Sequence, residues 1–529
     1  MVYKDNWLPH LRDSIPPVAR LNRISLYTIA LEAWRRGLTL EFSAYTDDQN
    51  IQRIQYKLSD GSNTHRFNES SGDLIAEEAT VICDDKHLTE KHLKSADVPI
   101  PKGRTFKNTV SISEIMAYAD NLNFPVVVKP TKGSGGKGVH ANIINTQQLH
   151  IAIDNLKDKM DSDIIVQEFI EGEEVRLYVL GDRVLSAVNR IPANVIGDGE
   201  HSIMKLIEQK NKIRKSVPHL YHRPIKIDKE LTSILMSSGF HLDHVPPSGK
   251  RIFLRKTSNI STGGDPIEIL NTLTNQQKDI AIQATKAIPG LVHSGVDMIM
   301  NKEQGNGVVL EVNTKPGIGS HLFPIEGQAT DIPTELINYY FPNTKEKGRS
   351  EDYYFDLQSV FDSLYGGYNS QFTVAPCPKQ SPSRMKLLLE TDNDPVELYN
   401  VIRKKIFLYK INGFIQKEPK QKISLVISHL NRNVLLEIKE LINQSQSKLR
   451  INKVIEQDYC KPIKIGFDII DDLNELSLHE LESKLNRNKQ DLKRIESENK
   501  RLQNRIRKTE NSLSWKVTKP LRSIMGKRD

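Results

Sequence analysis

Four glycines within six residues, at 133, 135, 136 and 138, constrain this chain more than any other feature. They lie inside Phe124 to Asn142, FPVVVKPTKGSGGKGVHAN. A short apolar strand ends in Lys129, a proline follows, and after the glycines the residues alternate again. Glycine lets backbone N–H groups crowd around an anion where a side chain would clash. Lys129 adds a fixed positive charge at the strand end. Gly133, Gly135 and Gly138 satisfy the spacing of a dinucleotide fingerprint, but that fingerprint needs a helix starting in the loop. Val139–Ile144 alternates like a strand instead, so the loop predicts a hairpin tip. A Walker loop needs Ser or Thr after its lysine, and Lys137 is followed by Gly138. Two readings stay open at this point: a glycine hairpin that folds over a nucleotide, and a hairpin with no ligand.

The length of 529 residues suggests roughly three or four domains. The formal charge of +8 is concentrated after about residue 484, so it describes a tail and not a nucleic-acid-binding core. Cys83, Cys377 and Cys460 have no metal-ligand spacing and are odd in number, which points to unpaired thiols in a reducing cytoplasm. The N-terminus has no apolar signal-peptide core, and no apolar run is long enough to span a bilayer.

Residues 1–75 predict a small α/β unit, with a helix at Leu26–Trp34, a strand at Leu38–Phe42 and a turn at 59–63. At 83–103, Asp84 or Asp85 can cap a helix carrying Leu88 and Leu93. Lys86 would then sit in the first turn, where the helix dipole is positive. That placement suits either a phosphate ligand or a solvated surface lysine. Beyond the hairpin, strands are expected at Ile164–Ile170 and Val175–Leu180, with a third after Gly181-Asp182. An exposed strand edge can bind adenine, Glu174 can accept from ribose hydroxyls, and Arg176 and Arg190 suit phosphate or carboxylate oxygens. Arg255 and Asn259 precede a Ser/Thr/Gly stretch, 261–264, which also reads as a plain turn. Asp297, Glu311 and Asn313 fall on two apolar strands. Buried carboxylates need neutralising, and hard oxygen ligands are how Mg²⁺ is held. Satisfaction by backbone groups or Lys315 is the competing reading.

Lys86, FPVVVKP, KGSGGKG, VQEFIEG, the Asp297 strand and LEVNTKPG occur here in an order that resembles the ATP-grasp carboxylate–amine ligases. RIPANVIGDGEHSIMKLIEQKN (190–211) and LRKTSNISTGGD (254–265) resemble in particular the ATP-grasp modules of cyanophycin synthetase and of the fused glutamate–cysteine ligase/glutathione synthetase. The resemblance covers about residues 75–342. It implies that Lys86 and Lys129 hold ATP phosphates and that Gly133, Ser134, Gly135, Gly136 and Gly138 close over them. Gln167, Glu168, Phe169 and Ile170 would frame adenine, Glu174 would bind ribose, and Arg176 would complete the nucleotide site. Asp297, Glu311 and Asn313 would hold Mg²⁺, with Mn²⁺ as a substitute. Arg190, Arg255 and Asn259 would serve the substrate end. The implied reaction turns a carboxylate into an acyl phosphate, which an amine then converts to an amide. No Mur-ligase-like or glutamate–cysteine ligase domain is present, so neither namesake's product is implied. A non-catalytic ATP-binding scaffold is the alternative.

Residues 343–383 are polar and Pro-rich and read as a linker. From 384 to 470 the order β-α-β-β-α-β predicts a ferredoxin-like plait that resembles acylphosphatase. The phosphate loop expected there is TDNDPVE, without arginine, and Gln416 or Lys417 stands where an asparagine is expected. An inactive accessory domain is the expectation. Residues 472–513 carry a heptad, with Leu478, Leu485, Leu492, Asn499, Ile506 and Leu513 at a, which predicts a coiled coil and a homodimer. The basic amphipathic tail, 514–529, suits an anionic membrane surface and resembles the ends of some cell-surface glycosyltransferases. The expected whole is a multidomain α/β (α+β) chain, cytoplasmic, with peripheral contact at the inner face of the membrane. It comprises a pre-ATP-grasp region (1–75), an ATP-grasp fold (76–342), a linker, the plait and the coiled coil. Its expected partners are small-molecule carboxylates and amines.

Overall fold

The computed structural model describes residues 6–47, 50–132, 138–159, 162–301 and 305–470. The glycine-loop residues 133–137, the heptad segment and the basic tail lie outside the described residues. Two compact units divide the chain. The first comprises Met1–Ser381 with Lys461–Ile465, and the second comprises Pro382–Cys460 with the residues from Gly466 onward. Among the described residues, no helix is long and apolar enough to cross a membrane.

Three sheets matter in the first unit. The hairpin sheet runs Gly103–Phe106, Ile164–Glu168, Val126–Pro130, His140–Ile143, all antiparallel. The central sheet runs Asp265–Glu268, Arg183–Ile191, Glu173–Leu180, His293–Asn301, Asn306–Asn313, again antiparallel. Its sequence explains its two faces. Successive side chains of a strand point to opposite sides. In EEVRLYVL, Val175, Leu177 and Val179 therefore face one way and join Val296, Met298 and Val312 in a core. The helices Glu77–Asp84 and Asn275–Lys286 cover that core. Each such side chain contributes about 1.5–3 kcal/mol by leaving water. Glu174, Arg176 and Tyr178 are thereby committed to the other face, where Asp297 and Glu311 also stand as cross-strand neighbours of that row.

The N-terminal residues fold as expected locally, with a helix at Ile24–Arg35 and strands at Thr39–Thr46, Gln52–Ser59 and Thr64–Asn68. They do not end at a seam near residue 75. Every residue of the helix is buried. The sheet beside it takes Gln371–Thr373 as an edge strand, antiparallel to Thr39–Thr46. The linker expected at 343–383 is thus corrected. It holds the strand Tyr353–Tyr354 and the helix Leu357–Tyr365, and it buries Tyr353, Phe355, Leu357, Val360, Phe361 and Leu364 in the N-terminal core. Its polar composition hid a sparse apolar stripe. Trp34 donates from Nε1 to the Ala375 carbonyl at 2.7 Å, and Arg35 donates to the Tyr353 carbonyl at 2.8 Å.

In the second unit the strands Ser383–Glu390, Asn412–Glu418, Lys422–His429 and Lys453–Gln457 alternate with the helices Pro395–Tyr409 and Arg432–Gln444 in the order β-α-β-β-α-β. In space the strands run fourth, first, third, second, each antiparallel to its neighbour. The segment IKIGFDI divides between two strands. Ile463–Lys464 pairs with Tyr353–Tyr354 in the first unit, while Phe467–Ile470 adds a parallel edge beside Asn412–Glu418.

Arg349 ties the first unit together. It donates to Glu32 at 2.9 Å, to Asp331 at 3.1 Å and to the Thr334 hydroxyl at 2.9 Å. Glu32 is buried, so its carboxylate depends on that partner and on Arg36. Arg349→Ala should lower unfolding stability by about 1–3 kcal/mol, because it removes one of the two arginines that compensate the buried Glu32 carboxylate. Urea unfolding of the full chain checks this. A loss below about 0.5 kcal/mol, the scale of ordinary surface substitutions, would show that the 343–381 segment is not anchored as described.

Candidate functional site

Lys129 belongs to the Val126–Pro130 strand, which is buried along its whole length. The return strand pairs Val126 with Ile143 and Val128 with His140, so a hairpin stands where the glycine pattern predicted one. Gly138 has φ of +74°, a conformation that disfavours any side chain. Residues 133–137, including Gly133, Ser134, Gly135 and Gly136, lie outside the described residues. Lys86 is the first residue of the helix Lys86–Ser95, and the Asp85 carboxylate caps that helix by accepting from the His87 and Leu88 N–H groups. The Lys86 N–H donates to the Thr131 carbonyl at 3.2 Å, which ties the helix start to the strand end carrying Lys129. Burial pushes the Lys129 pKa down, and Lys86 adds to that push. Glu90, whose carboxylate lies 3.5 Å from Lys129 Nζ, opposes it.

The expected adenine segment follows the Ile164–Glu168 strand. Glu168 is tied twice to Lys102: its N–H donates to the Lys102 carbonyl, and its carboxylate accepts from the Lys102 N–H at 2.8 Å. The Phe169 N–H donates to Pro125 O. Gln167 is buried, and its Oε1 has no hydrogen-bond partner among the described residues. Ile170 ends the segment two residues before the turn at Gly172, where a Cβ would meet the Met300 carbonyl oxygen at 2.5 Å. That turn starts the Glu173–Leu180 strand.

On the polar face of the central sheet the expected metal and nucleotide residues converge. Arg176 grips Asp297 with two hydrogen bonds, Nε to Oδ1 at 2.7 Å and an NH2 to Oδ2 at 2.5 Å. Arg190 bridges Asp297 and Glu174, at 3.2 and 2.8 Å. Asn313 Nδ2 stands 3.5 Å from Asp297 Oδ2. The competing sequence reading, in which backbone groups or Lys315 satisfy the aspartate, gives way here to two arginines. Burial raises the Asp297 pKa, but Arg176 and Arg190 outweigh it and hold the group below the ordinary aspartate range. Glu311, directly across from Asp297, behaves oppositely. Burial and then the charge of Asp297 raise its pKa, while Lys86, Arg176 and Lys129 only partly offset them. Glu311 has no ion-pair partner among the described residues. Glu174 is likewise raised, by burial first, with Arg190 opposing.

The substrate-end residues divide. Arg190 belongs to the cluster just described. Arg255 instead makes a two-pronged pair with Asp228, at 2.8 and 2.6 Å, beside the helix Lys229–Ser237 that Asp228 caps. Asn259 folds back on its own turn, its Oδ1 accepting from the Ser261 N–H and hydroxyl at 2.9 and 2.7 Å. The stretch 259–264 is a turn held by Arg214, which donates to the carbonyls of Ile260 and Gly264 and to Asp265.

Sequence reasoning missed three groups near these residues. Glu90 follows Lys86 by one helical turn, a spacing that was available as a signal. His321 is fully buried and shares Nδ1 with the Ser186 hydroxyl at 2.8 Å. Burial, reinforced by Arg176 and Arg190, holds its pKa down at about 3. Buried Asp265, paired with Lys210 and Arg214, had no local signal because its partners lie more than fifty residues away in sequence.

Glu311 supplies a pH test. Its folded pKa lies above the ordinary glutamate value, so the proton it binds favours the fold. That stability is complete below the unfolded pKa and disappears as pH rises through the folded one. Glu311→Gln should therefore melt at a higher temperature than the parent chain at pH 8, with the difference shrinking towards pH 4. Thermal melts across that range check it, and a difference that grows towards acid pH contradicts the like-charge arrangement.

Residues 83–214 and 255–339 match the family described as the RimK-like ATP-grasp domain. The glutathione biosynthesis bifunctional protein GshAB of Listeria monocytogenes serotype 4b is 30% identical over 268 residues, 50% of this chain and 35% of that protein. Cyanophycin synthetase of Trichormus variabilis is 28% identical over 333 residues, 61% of this chain and 36% of that one. The chain thus spans little more than a third of either relative. A bifunctional glutathione synthetase from Pasteurella multocida shares 25% identity at a TM-score of 0.46, covering 60% of this chain and 44% of that one. Lys86, Lys129, Asp297 and Glu311 all lie inside the ranges that match the RimK-like ATP-grasp domain.

Proposed function

We propose that the first unit is an ATP- and Mg²⁺-dependent ligase that joins a carboxylate to an amine through an acyl phosphate. One observation carries this reading. The helix that starts at Lys86 is tied to the strand end carrying Lys129 and packs against the Asn306–Asn313 strand, where Glu311 stands beside Asp297. Two cations and two carboxylates from separate elements therefore share one neighbourhood, as a polyphosphate with its cation requires.

Lys86 and Lys129 are assigned to the ATP phosphates and the 133–138 loop to covering them. Gln167 to Ile170 are assigned to adenine, where the unpartnered Gln167 Oε1 fits a missing donor, and Glu174 to the ribose. The donor set of Asp297, Glu311 and Asn313 offers an oxygen from each residue, on two neighbouring strands of the central sheet. That fits Mg²⁺ or Mn²⁺, which would neutralise phosphate charge when bound. Arg176 and Arg190 orient Asp297, and Arg190 is also assigned to the incoming carboxylate. Arg255 and Asn259 are assigned to shaping the substrate end through Asp228 and the 259–264 turn. In the proposed reaction a carboxylate oxygen attacks the γ-phosphorus and ADP leaves. An amine then attacks the acyl carbon, phosphate leaves and the amine gives up a proton. The site's work is positioning and exclusion of water.

The named relatives concern glutathione and cyanophycin synthesis, which supports amino acids or peptides as the substrate class. An envelope-polymer precursor is included on the strength of the basic tail. The second unit is assigned as a ferredoxin-like, acylphosphatase-like accessory domain without hydrolase activity. Its strand order supports the plait. In its TDNDPVE loop, Thr391 and Asn393 both donate to Leu449 O, and the loop itself carries no arginine for an anion. A homodimer through 472–513 and peripheral membrane contact through 514–529 complete the proposal for a cytoplasmic protein.

A panel of amino acids and other carboxylates, scored for ADP release with products weighed by mass spectrometry, tests the reading. With a productive pair in hand, Lys129→Ala should cut ADP release by at least about 100-fold without lowering the melting temperature, as expected for losing a charged phosphate ligand. Undiminished turnover in that variant would remove the phosphate-site assignment.

A further inference from the structure

Glu90 takes no part in the assignments above. It lies four residues after Lys86 on the Lys86–Ser95 helix, so the two side chains share a face. Three contacts fix where that face points. Asp85 caps the first turn, and the Thr89 hydroxyl donates to Ile82 O at 2.7 Å. The Lys86 N–H holds Thr131 O, two residues beyond Lys129. The outcome is Glu90 Oε1 at 3.5 Å from Lys129 Nζ, with side-chain exposures of 14% and 9%.

A carboxylate and a phosphate oxygen compete for the same ammonium. We propose that Glu90 is an internal counter-ion that occupies Lys129 when no nucleotide is bound and gives it up when ATP binds. Glu90 is a positioning residue: it touches neither substrate nor reacting atoms and acts only through Lys129. Burial alone favours the neutral amine, and the neighbouring Lys86 adds to that tendency. Glu90 keeps the ammonium charged and aimed in the free protein. The nucleotide then meets a charged lysine, but it must displace an existing partner to use it. The consequence is a weaker resting affinity for ATP and ADP, and an easier departure for ADP. This inference rests on the reading of Lys129 as a phosphate ligand.

Calorimetric titration of the full chain with ATP and Mg²⁺ tests it, comparing the parent with Glu90→Gln, Glu90→Asp and Lys129→Ala. Glu90→Gln should bind ATP roughly two- to fivefold more tightly, the size of an ion pair near the surface. Glu90→Asp, which withdraws the carboxylate by one methylene and keeps the helix charge, should shift in the same direction and serves if the uncharged variant does not fold. Unchanged or weaker binding in these variants overturns the inference, because a purely supportive carboxylate would strengthen ATP binding in the parent. If Lys129→Ala loses ATP while Glu90→Gln binds as the parent does, only the Glu90 inference falls. If the parent chain takes up no ATP, the nucleotide reading beneath it falls as well.

Discussion

An aspartate and an arginine facing one another across two neighbouring strands set the terms for everything around them. Asp297 is almost wholly withdrawn from water, and a lone carboxylate there would protonate or destabilise the fold. Arg176 meets it with two parallel hydrogen bonds, and Arg190 adds a third while holding Glu174. This pairing makes a polar sheet face tolerable inside a folded unit. It also decides which lone pairs remain. Asp297 Oδ1 accepts from both arginines, whereas Oδ2 accepts from Arg176 and faces the Asn313 amide only at long range. Glu311, directly across from Asp297, has no ion-pair partner of its own among the described residues.

Strand alternation made much of this legible beforehand. EEVRLYVL, VDM and LEVN each put apolar residues on one face, and the charged remainder had to share the other. The cross-strand partners were not legible. Arg176 and Asp297 are 121 positions apart, and sequence alone assigned the arginine to a ligand's oxygens. The partner of Arg255 was hidden for the same reason, since Asp228 sits in a polar stretch with no strong period. The contacts of Asn259 are local instead: a short polar side chain at a turn can satisfy its own backbone.

The hidden order at 343–381 has another cause. Its prolines, glycines and charges average to a linker-like composition, and its apolar residues are too sparse to form a periodic run. Their partners are instead supplied by the helix Ile24–Arg35, more than three hundred residues earlier. A core assembled from both ends of the unit cannot be read from either end alone. The segment between them holds the candidate site, so the N-terminal residues act as its foundation.

The short return at Lys461–Ile465 has a mechanical meaning. The chain leaves the first unit after Ser381, comes back to lay Ile463 against Tyr353, and leaves again at Gly466. Lys461 meets Asp13 and Lys464 meets Asp356 on that visit. The chain therefore passes between the two units three times, after Ser381, after Cys460 and after Ile465. A protease nick near Ser381 would leave the Lys461–Ile465 segment held in the first unit by a strand pairing and two ion pairs.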